Sequence, residues 1–206
     1  MPVMFLLVSG ASGAGKSTAR RLVVDELEPG VECVELHDVV PMPPVPTLAW
    51  RQRATEAVVC HALELQEQGR NVLLAGDPIA AGEVLAAPSA DRLDGIAVCL
   101  LDVDGDTQAA RLLTRGDDPA LLVHHLAFAD WMRGHAVDPH HRPEVLQTDG
   151  WEQMDWERWS AIDDAGDWAM HVLDTSTLTA AAVACELLAW CRRALAGQAP
   201  VMRVRS

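Results

Sequence analysis

The segment GASGAGKS at residues 10–17 forces a sharp change in the course of the backbone, because three of its eight residues are glycine. An apolar run at residues 3–8 precedes it and predicts a buried strand. The stretch that follows carries Leu22, Val23 and Leu27 at helical spacing and ends at a Pro-Gly pair. A strand, a glycine-rich turn and a helix are therefore predicted in immediate succession.

The rest of the chain repeats this alternation of short apolar runs and helix-forming stretches. Strands are predicted at residues 31–38, 71–78, 95–104 and 168–176, and helices at residues 107–116, 119–136 and 179–195. The longest helix is predicted from a Thr47 cap to Gln68, just before Gly69. The pattern predicts an α/β fold, a doubly wound five-stranded parallel sheet with helices on both faces, in a single domain over residues 1–206.

Two segments break the alternation. The proline run at residues 41–46 excludes both a helix and a central strand, because proline has no backbone N–H and a fixed φ. Residues 138–167 predict an irregular insertion that contains a short tryptophan-bearing helix.

The charge balance restricts the partners that the chain can have. A formal net charge of −14 opposes binding to nucleic acid or to an anionic membrane, because both are negatively charged. We therefore expect neither partner. A basic region before the first apolar run is lacking, and no apolar stretch approaches the roughly 20 residues that span a bilayer, so neither a signal peptide nor a transmembrane helix is expected.

The cysteines are scattered without a Cys-x-x-Cys pair, and four of the five lie in apolar runs. This pattern predicts buried, reduced thiols in a cytoplasmic protein. The five are Cys33, Cys60, Cys99, Cys185 and Cys191.

The glycine-rich segment fits the pattern G-x-x-x-x-G-K-[ST] through Gly10, Gly15, Lys16 and Ser17. Its glycines let backbone N–H groups converge on phosphate oxygens, and the helix N-terminus adds partial positive charge. Lys16, the only lysine of the chain, is predicted to bridge the β- and γ-phosphates of ATP, and the Ser17 hydroxyl to ligate Mg²⁺. The predicted nucleotide-binding set also includes Ser12, Gly13, Ala14 and Thr18. The alternative is a glycine turn that arose by chance.

Two aspartates end predicted strands, at the edge where parallel sheets bind their ligands. Asp38 ends the second strand and is predicted to accept a proton from the hydroxyl of an acceptor. Asp77 ends the third strand and is predicted to hold Mg²⁺, directly or through water. The alternative for each is that it only caps a turn or the following helix.

The glycine-rich loop, together with an acidic residue at Asp38, resembles the small P-loop phosphotransferases, which include gluconate and shikimate kinases, adenylate kinases and chloramphenicol phosphotransferase. The resemblance implies that Asp38 serves the acceptor. It also matches an Arg-x-x-x-Arg pattern to Arg111 and Arg115, and implies that Arg111 stacks on adenine while Arg115 reaches the phosphates from a mobile lid at about residues 111–138. The segment LDTS resembles the loop that contacts the base, which implies roles for Thr175 and Ser176.

An alternative interpretation of the two arginines involves no nucleotide. Residues four apart share one face of a helix, so either side chain could pair with a surface aspartate instead. The candidates are Asp104, Asp117 and Asp118.

Arg51 and Arg53 begin the long helix beside the proline run, where an anionic acceptor would suit them. A solvated helix start is the alternative.

Histidine and tryptophan are concentrated in the second half of the chain. Adjacent histidines on a helix point about 100° apart, which argues against a zinc site and favours acceptor contacts or solvated lid residues. The tryptophans could line an apolar acceptor pocket, although spacing of i, i+3 is typical of core packing. The residues concerned are His124, His125, His135, Asp138, His140 and His141, with Trp151, Trp156 and Trp159.

Together these features predict an ATP- and Mg²⁺-dependent phosphotransferase that moves the γ-phosphoryl group to a hydroxyl of a small molecule. Lys16 and Arg115 would stabilise charge and Asp38 would act as the base. One alternative is a regulatory P-loop ATPase with a protein partner, although no Asn-Lys-x-Asp guanine signature is present. A second, a kinase acting on nucleic-acid ends, is disfavoured by the acidity. The acceptor stays open among an antibiotic, a sugar acid and a nucleoside.

Overall fold

The computed structural model describes residues 2–160, 162 and 167–202. Its strands are β1 Phe5–Ser9, β2 Val31–Val34, β3 Asn71–Ala75, β4 Ile96–Asp102 and β5 His171–Asp174. They form one sheet in the order β2-β3-β1-β4-β5, and every neighbouring pair is parallel. The central strand is β1, and the nearly continuous apolar sequences of β1 and its neighbour β4 suit strands that are covered on both faces.

Helices cover both faces of the sheet, so the predicted doubly wound α/β architecture is confirmed. On one face, α1 and α9 pack together and bury Val23, Leu187 and Trp190 against the strands. On the other, α3 and α6 bury Val58 and Trp131. The helices are α1 Lys16–Leu27, α2 Leu36–Val39, α3 Leu48–Glu67, α4 Ala81–Leu85, α5 Gly105–Arg115, α6 Leu122–Val137, α7 Glu144–Gln147, α8 Glu157–Ser160 and α9 Ala180–Leu195, with 3₁₀ turns at Ala90–Arg92 and Pro119–Leu121.

The long helix begins as predicted. Thr47 is its N-cap, and the Thr47 hydroxyl accepts a hydrogen bond from Trp50 N at 3.1 Å. Such a cap satisfies one of the backbone donors that the first turn of a helix leaves unpaired. The helix therefore starts directly after the proline run.

The second strand is shorter than predicted. It ends at Val34, whereas the prediction extended it to residue 38. The alternation in VECVELHD favours an extended chain, but Asp38 Oδ2 accepts a hydrogen bond from Glu35 N at 2.8 Å. That bond caps the short helix α2 and turns the chain out of the sheet. The prediction that Asp38 ends the strand is therefore wrong, and Glu35 is the residue that follows β2.

The region predicted as a lid, at about residues 111–138, contains the end of α5, a 3₁₀ turn and α6. Asp104 caps α5 by accepting a hydrogen bond from Thr107 N at 2.8 Å. In the predicted insertion, α8 carries Trp159 and is the expected short helix, while residues 161 and 163–166 of that insertion lie outside the described residues.

The cysteines are all free thiols, but only part of the expectation about their burial is confirmed. Cys99 and Cys191 are buried in the core, and Cys33 is half-buried. Cys60 and Cys185 are exposed, contrary to the prediction, because they lie on the outward faces of α3 and α9. Along the residues that the structure describes, no helix combines the length and the apolar character that crossing a bilayer requires.

Candidate active site

The glycine-rich loop joins β1 to α1 and needs glycine at two points in particular. Gly10 has φ 141°, and a Cβ there would lie 2.5 Å from Leu101 O, so no other residue fits without moving β4. Gly15, the N-cap of α1, has a φ of 99°. A Cβ at Gly15 would meet no atom within 4 Å, which shows that the space above the loop is open. The loop therefore forms the wall of a cavity.

That cavity has a volume of about 440 Å³. Its lining is formed by the loop and the start of α1, by two arginines of α5 and by the apolar start of α9. A pocket of this size falls within the usual range for sites that bind small ligands. Its lining includes ten of the residues predicted to bind nucleotide or stabilise charge: Ser12, Gly13, Ala14, Gly15, Lys16, Ser17, Thr18, Arg111, Arg115 and Thr175.

Lys16 is buried, with 4% of its surface exposed. Its Nζ donates hydrogen bonds to Gly10 O at 2.7 Å and Ala11 O at 2.8 Å. Burial lowers the pKa of Lys16 to about 7, although the nearby carboxylates of Asp77 and Glu35 act in the opposite direction. An additional anion in the cavity would therefore stabilise the charged form of Lys16.

Carboxylates lie at the neighbouring edge of the sheet, after β2 and β3. Asp77 Oδ2 accepts a hydrogen bond from Leu36 N at 2.7 Å, which ties the end of β3 to α2. The Glu35 carboxylate is 13% exposed and pairs with Arg20 at 3.1 Å. It packs directly against Gly76, where a Cβ would overlap the Glu35 carboxyl group. Glu35 and Asp77 therefore both act electrostatically on Lys16.

Asp38 lies farther from this edge than predicted. Its side chain is 41% exposed, and its Oδ2 caps α2 and lies 3.9 Å from Arg20 Nη1. Glu35 is thus the carboxylate that the analysis of the sequence missed. The E-x-x-D spacing of Glu35 and Asp38 is a helix-capping pattern and was the signal that could have found it.

Arg111 contacts the loop through hydrogen bonds. Its Nη1 donates to Gly13 O at 3.3 Å and to Thr175 Oγ1 at 3.0 Å, and its Nη2 donates to Thr175 O at 2.6 Å. Thr175 is fully buried, and its hydroxyl lies 3.2 Å from Ala14 O. Arg111 therefore links α5, the glycine-rich loop and the segment after β5.

Arg115 lines the cavity and also pairs with Asp117 through hydrogen bonds of 2.7 and 2.5 Å. The pairing with a surface aspartate is thus present, and the role of Arg115 toward the phosphates stays a prediction. Ser176 does not line the cavity; its hydroxyl bonds Asp174 Oδ1 and accepts from Asp104 N.

Arg51 is fixed by an interaction that neither prediction for it included. Its Nε donates to Glu83 Oε1 at 2.8 Å, and Glu83 is fully buried. Its guanidinium group also lies 5.6 Å from the centre of the Phe128 ring. Arg53 is exposed on α3. Glu83 belongs to α4, 32 residues away in sequence, so no local pattern signals this pair.

Among the predicted histidines and tryptophans, His135 and Trp159 are buried in a core, whereas His124 and His140 are exposed. His135 is buried between Trp131, Trp159 and Trp168, with ring centres 4.7 to 4.9 Å apart. Its Nε2 accepts a hydrogen bond from Gly82 N at 3.3 Å, and burial lowers the pKa of His135 to about 3. The imidazole is therefore neutral. Within the described ranges, no three His, Cys, Asp or Glu side chains are grouped in a way that could hold a metal ion.

Comparisons with known proteins support the fold. No protein-family model matches the sequence, and no curated protein matches it. A gluconokinase from Sinorhizobium meliloti 1021 is similar in structure with a TM-score of 0.57 and 17% identity, over 95% of both chains. A tunicamycin resistance protein from Deinococcus radiodurans has a TM-score of 0.55 and 14% identity, over 93% of this chain and 96% of its own.

A third structure, of the Pnkp1/Rnl/Hen1 RNA repair complex, has a TM-score of 0.49 and 18% identity. The match covers 65% of this chain and only 46% of that one. The two full-length matches show that the chain has a P-loop kinase-like fold.

Proposed function

We propose that this protein is an ATP- and Mg²⁺-dependent phosphotransferase that moves the γ-phosphoryl group to a hydroxyl of a small-molecule acceptor. The observation that carries the proposal is the glycine-rich loop around buried Lys16, which opens on a cavity of about 440 Å³ between the loop and two arginines. The kinase-like fold and the similarity to a gluconokinase and a tunicamycin resistance protein support it.

The chemistry of the residues present fits a nucleotide phosphate chain with its metal. The open space above Gly15 admits phosphates, and Lys16 and Arg115, which both line the cavity, supply positive charge. The Ser17 hydroxyl and the Asp77 carboxylate are oxygen donors, which Mg²⁺ prefers, and would hold it. The metal would neutralise charge on the phosphates. Lys16 would bind the β- and γ-phosphates and stabilise the charge of the transferring group.

Two carboxylates compete for the role of base on the acceptor side, Glu35 and the originally predicted Asp38. A base must lie within hydrogen-bond reach of the hydroxyl that it deprotonates. Glu35 directly follows β2 and lies near enough to Lys16 to shift its pKa, whereas Asp38 is one helical turn farther along and caps α2. We therefore place the base at Glu35 and retain Asp38 as the variant to compare with it.

The charges on the acceptor side favour an acceptor that carries no negative charge. The cation of Arg51 is matched by buried Glu83, and that of Arg20 by Glu35. A carboxylate or phosphate group on the acceptor would compete with these pairs and would face the charges of Asp38 and Asp77. Uncharged or cationic hydroxyl compounds, such as many antibiotics and nucleosides, fit this charge balance better than sugar acids do.

The experiment that tests the proposal is a screen for ADP release that depends on an added acceptor. The panel contains neutral and cationic antibiotics, nucleosides, sugar acids and a 5′-hydroxyl oligonucleotide, each with the Lys16→Met variant as a blank. Stimulation by a neutral or cationic small molecule supports the proposal. ADP release that no compound on the panel changes would favour a regulatory ATPase, and stimulation only by the oligonucleotide would favour a nucleic-acid kinase.

Nucleotide binding is expected to take up a proton above neutral pH. With a pKa of about 7, Lys16 is mostly neutral at about pH 8, and contact with phosphate favours its charged form. Binding of Mg²⁺ and a non-hydrolysable ATP analogue should then take up close to one proton at about pH 8 and little at about pH 6. Calorimetry in buffers of different ionisation enthalpy measures this uptake. The same uptake in Lys16→Met would assign the proton to another group.

The lid is expected to close over bound nucleotide. If Arg111 and Arg115 approach the phosphates, amides within residues 111–136 should gain protection from hydrogen exchange when Mg²⁺ and the ATP analogue are added. Amides in the middle of α3 serve as the internal control, because no residue of that helix lines the cavity. Protection confined to residues 10–18 would argue against a lid.

A further inference from the structure

We infer that Gln108 and Arg111 of α5 form a clamp that positions the glycine-rich loop for phosphate binding; the inference rests on the proposed function. Neither Gln108 nor this function of Arg111 follows from the sequence pattern of the loop. Both are positioning residues in this role, because they act through the carbonyl groups of the loop.

The clamp consists of two side chains on one face of α5. Gln108 Nε2 donates to Ser12 O at 2.8 Å and to His125 O at 3.3 Å. Arg111, one helical turn later, donates to Gly13 O at 3.3 Å. Residues three apart lie on the same face of a helix, so α5 presents both donors to the loop together.

The clamp belongs to a set of side-chain donors that serves each carbonyl group from residue 10 to residue 13. Lys16 bonds Gly10 O and Ala11 O at 2.7 and 2.8 Å, Gln108 bonds Ser12 O at 2.8 Å, and Arg111 bonds Gly13 O at 3.3 Å. A carbonyl oxygen that turned into the cavity would repel phosphate. Holding these four on side chains therefore keeps the loop ready for an anion.

The effect of the clamp on the loop follows from the planarity of the peptide bond. In a trans peptide the C=O and the next N–H point in opposite directions. When Gln108 holds Ser12 O toward α5, the N–H of Gly13 is therefore fixed in the opposite direction, and anion binding by successive N–H groups depends on such fixed orientations. The clamp thereby fixes the orientation of the Gly13 N–H group, which belongs to a residue without a side chain.

The environment of Gln108 agrees with a role in positioning. The side chain is fully buried, yet its Oε1 has no hydrogen-bond partner among the residues that the structure describes. Leaving a buried acceptor such as Oε1 unpaired is unfavourable. The hydrogen bonds of the Gln108 side chain are therefore those that Nε2 donates. The Cγ of Gln108 and the Leu112 side chain also pack against Gly13, where a Cβ would lie 3.3 Å from each.

The connection to His125 O extends the clamp to α6. The same amide that holds Ser12 O also holds a carbonyl group of the helix that follows the 3₁₀ turn. A movement of α5 and α6 over bound nucleotide would therefore be transmitted to the loop through Gln108. The clamp couples closure of the lid to the order of the phosphate site.

The test replaces Gln108 by methionine, which keeps the length and volume of the side chain but cannot donate. The matched control is Gln52→Met. Gln52 is also fully buried, and its Nε2 donates to a backbone carbonyl, Leu146 O, at 2.8 Å, while its Oε1 accepts from Trp151 N. Loss of stability through the missing buried bond is expected in both variants, and their melting temperatures measure it.

Two measurements distinguish the effect of the clamp from the general loss of stability. In the nucleotide-free protein, the ¹⁵N order parameters of Gly13 and Ala14 should fall from about 0.85 toward about 0.6 in Gln108→Met and stay unchanged in Gln52→Met. The dissociation constant for Mg²⁺ and the ATP analogue should rise about tenfold in Gln108→Met only, which corresponds to one well-oriented hydrogen bond. Adenosine, which lacks phosphates, should bind both variants as it binds the wild type.

The order parameters and the dissociation constants decide whether the clamp exists. Unchanged order parameters in Gln108→Met, or equal changes of affinity in both variants, would overturn it. If the wild type binds no nucleotide, the proposed function fails, and the order parameters alone decide whether the clamp exists.

Discussion

Replacing Lys16 by methionine is expected to lower the turnover number by about 10²–10³-fold, or below detection, because the transferring phosphoryl group loses a preorganised positive charge. Affinity for ATP should fall as well, since the same ammonium group contacts the β- and γ-phosphates. Steady-state assays and titration with a non-hydrolysable ATP analogue measure the two effects separately. Methionine preserves the buried aliphatic stem, which limits the disturbance of the core.

Arg192→Met is the matched control for Lys16→Met. It also removes one positive charge, but from an exposed side chain of α9 that pairs with Glu26 at 3.2 Å. An exposed pair of this kind contributes little to stability, so turnover should equal that of the wild type. Full activity in Lys16→Met would contradict the proposed phosphotransferase activity. Equal losses in both variants would show that net charge, and not the position of Lys16, governs the rate.

The second large effect is expected at Glu35. Glu35→Gln should lower acceptor phosphorylation by about 10²–10⁴-fold, because an amide cannot accept the proton of the acceptor hydroxyl. Affinity for Mg²⁺ and ATP should stay within a few-fold, because the effect of Glu35 on the pKa of Lys16 is smaller than that of burial or of Asp77. Glutamine keeps the shape of the side chain against Gly76, and circular dichroism checks that the loss of the Arg20 pair leaves the fold intact.

Asp38→Asn and Asp77→Asn separate the roles of the neighbouring carboxylates. Asp38→Asn should reduce the rate of acceptor phosphorylation by less than about tenfold. The reason is that Asp38 caps α2, and a lost helix cap changes the free energy by an amount of this scale. Asp77→Asn should raise the Mg²⁺ concentration needed for half-maximal rate, and added Mg²⁺ should partly restore the rate. If Asp38→Asn is the variant that loses acceptor phosphorylation while Glu35→Gln retains it, the base is Asp38, as the sequence alone predicted.

The fold could be predicted from the sequence because its determinants are local. The apolar runs of β1 and β4 are typical of buried parallel strands, and Thr47 marks the start of α3 in the sequence itself. The error at the end of β2 was local too. An alternating pattern and the capping pair of Glu35 and Asp38 occupy the same residues, and the hydrogen bond of the cap prevailed over the alternation.

The side chains around the phosphate site could be predicted only in part. The loop places Gly10, Lys16 and Ser17 through short-range geometry, which a motif encodes. The partners of the loop carbonyls come from far along the chain: Gln108 lies 96 residues from Ser12, and Arg111 lies 98 residues from Gly13. Such contacts depend on how α5 packs against the loop, which no spacing in one sequence reveals.

The acceptor side was the least predictable part for the same reason. An arginine at the start of a helix has no local sign that shows which charge it meets. In the folded chain Arg51 meets Glu83, which is buried at the start of α4. That pairing removes the contribution of Arg51 to the preference for an anionic acceptor that Arg51 and Arg53 together suggested, and Arg53 is exposed.

The most direct test of the proposed function follows the γ-phosphoryl group itself. The protein is incubated with Mg²⁺, ATP carrying ¹⁸O in its γ-phosphoryl group, and the acceptor that gives the largest stimulation in the screen. Mass spectrometry then locates the label. We expect the labelled phosphoryl group on a hydroxyl of the acceptor, in an amount equal to the ADP formed. Label found only in inorganic phosphate, released at a rate that the acceptor does not change, would contradict phosphotransfer and show that the protein only hydrolyses ATP.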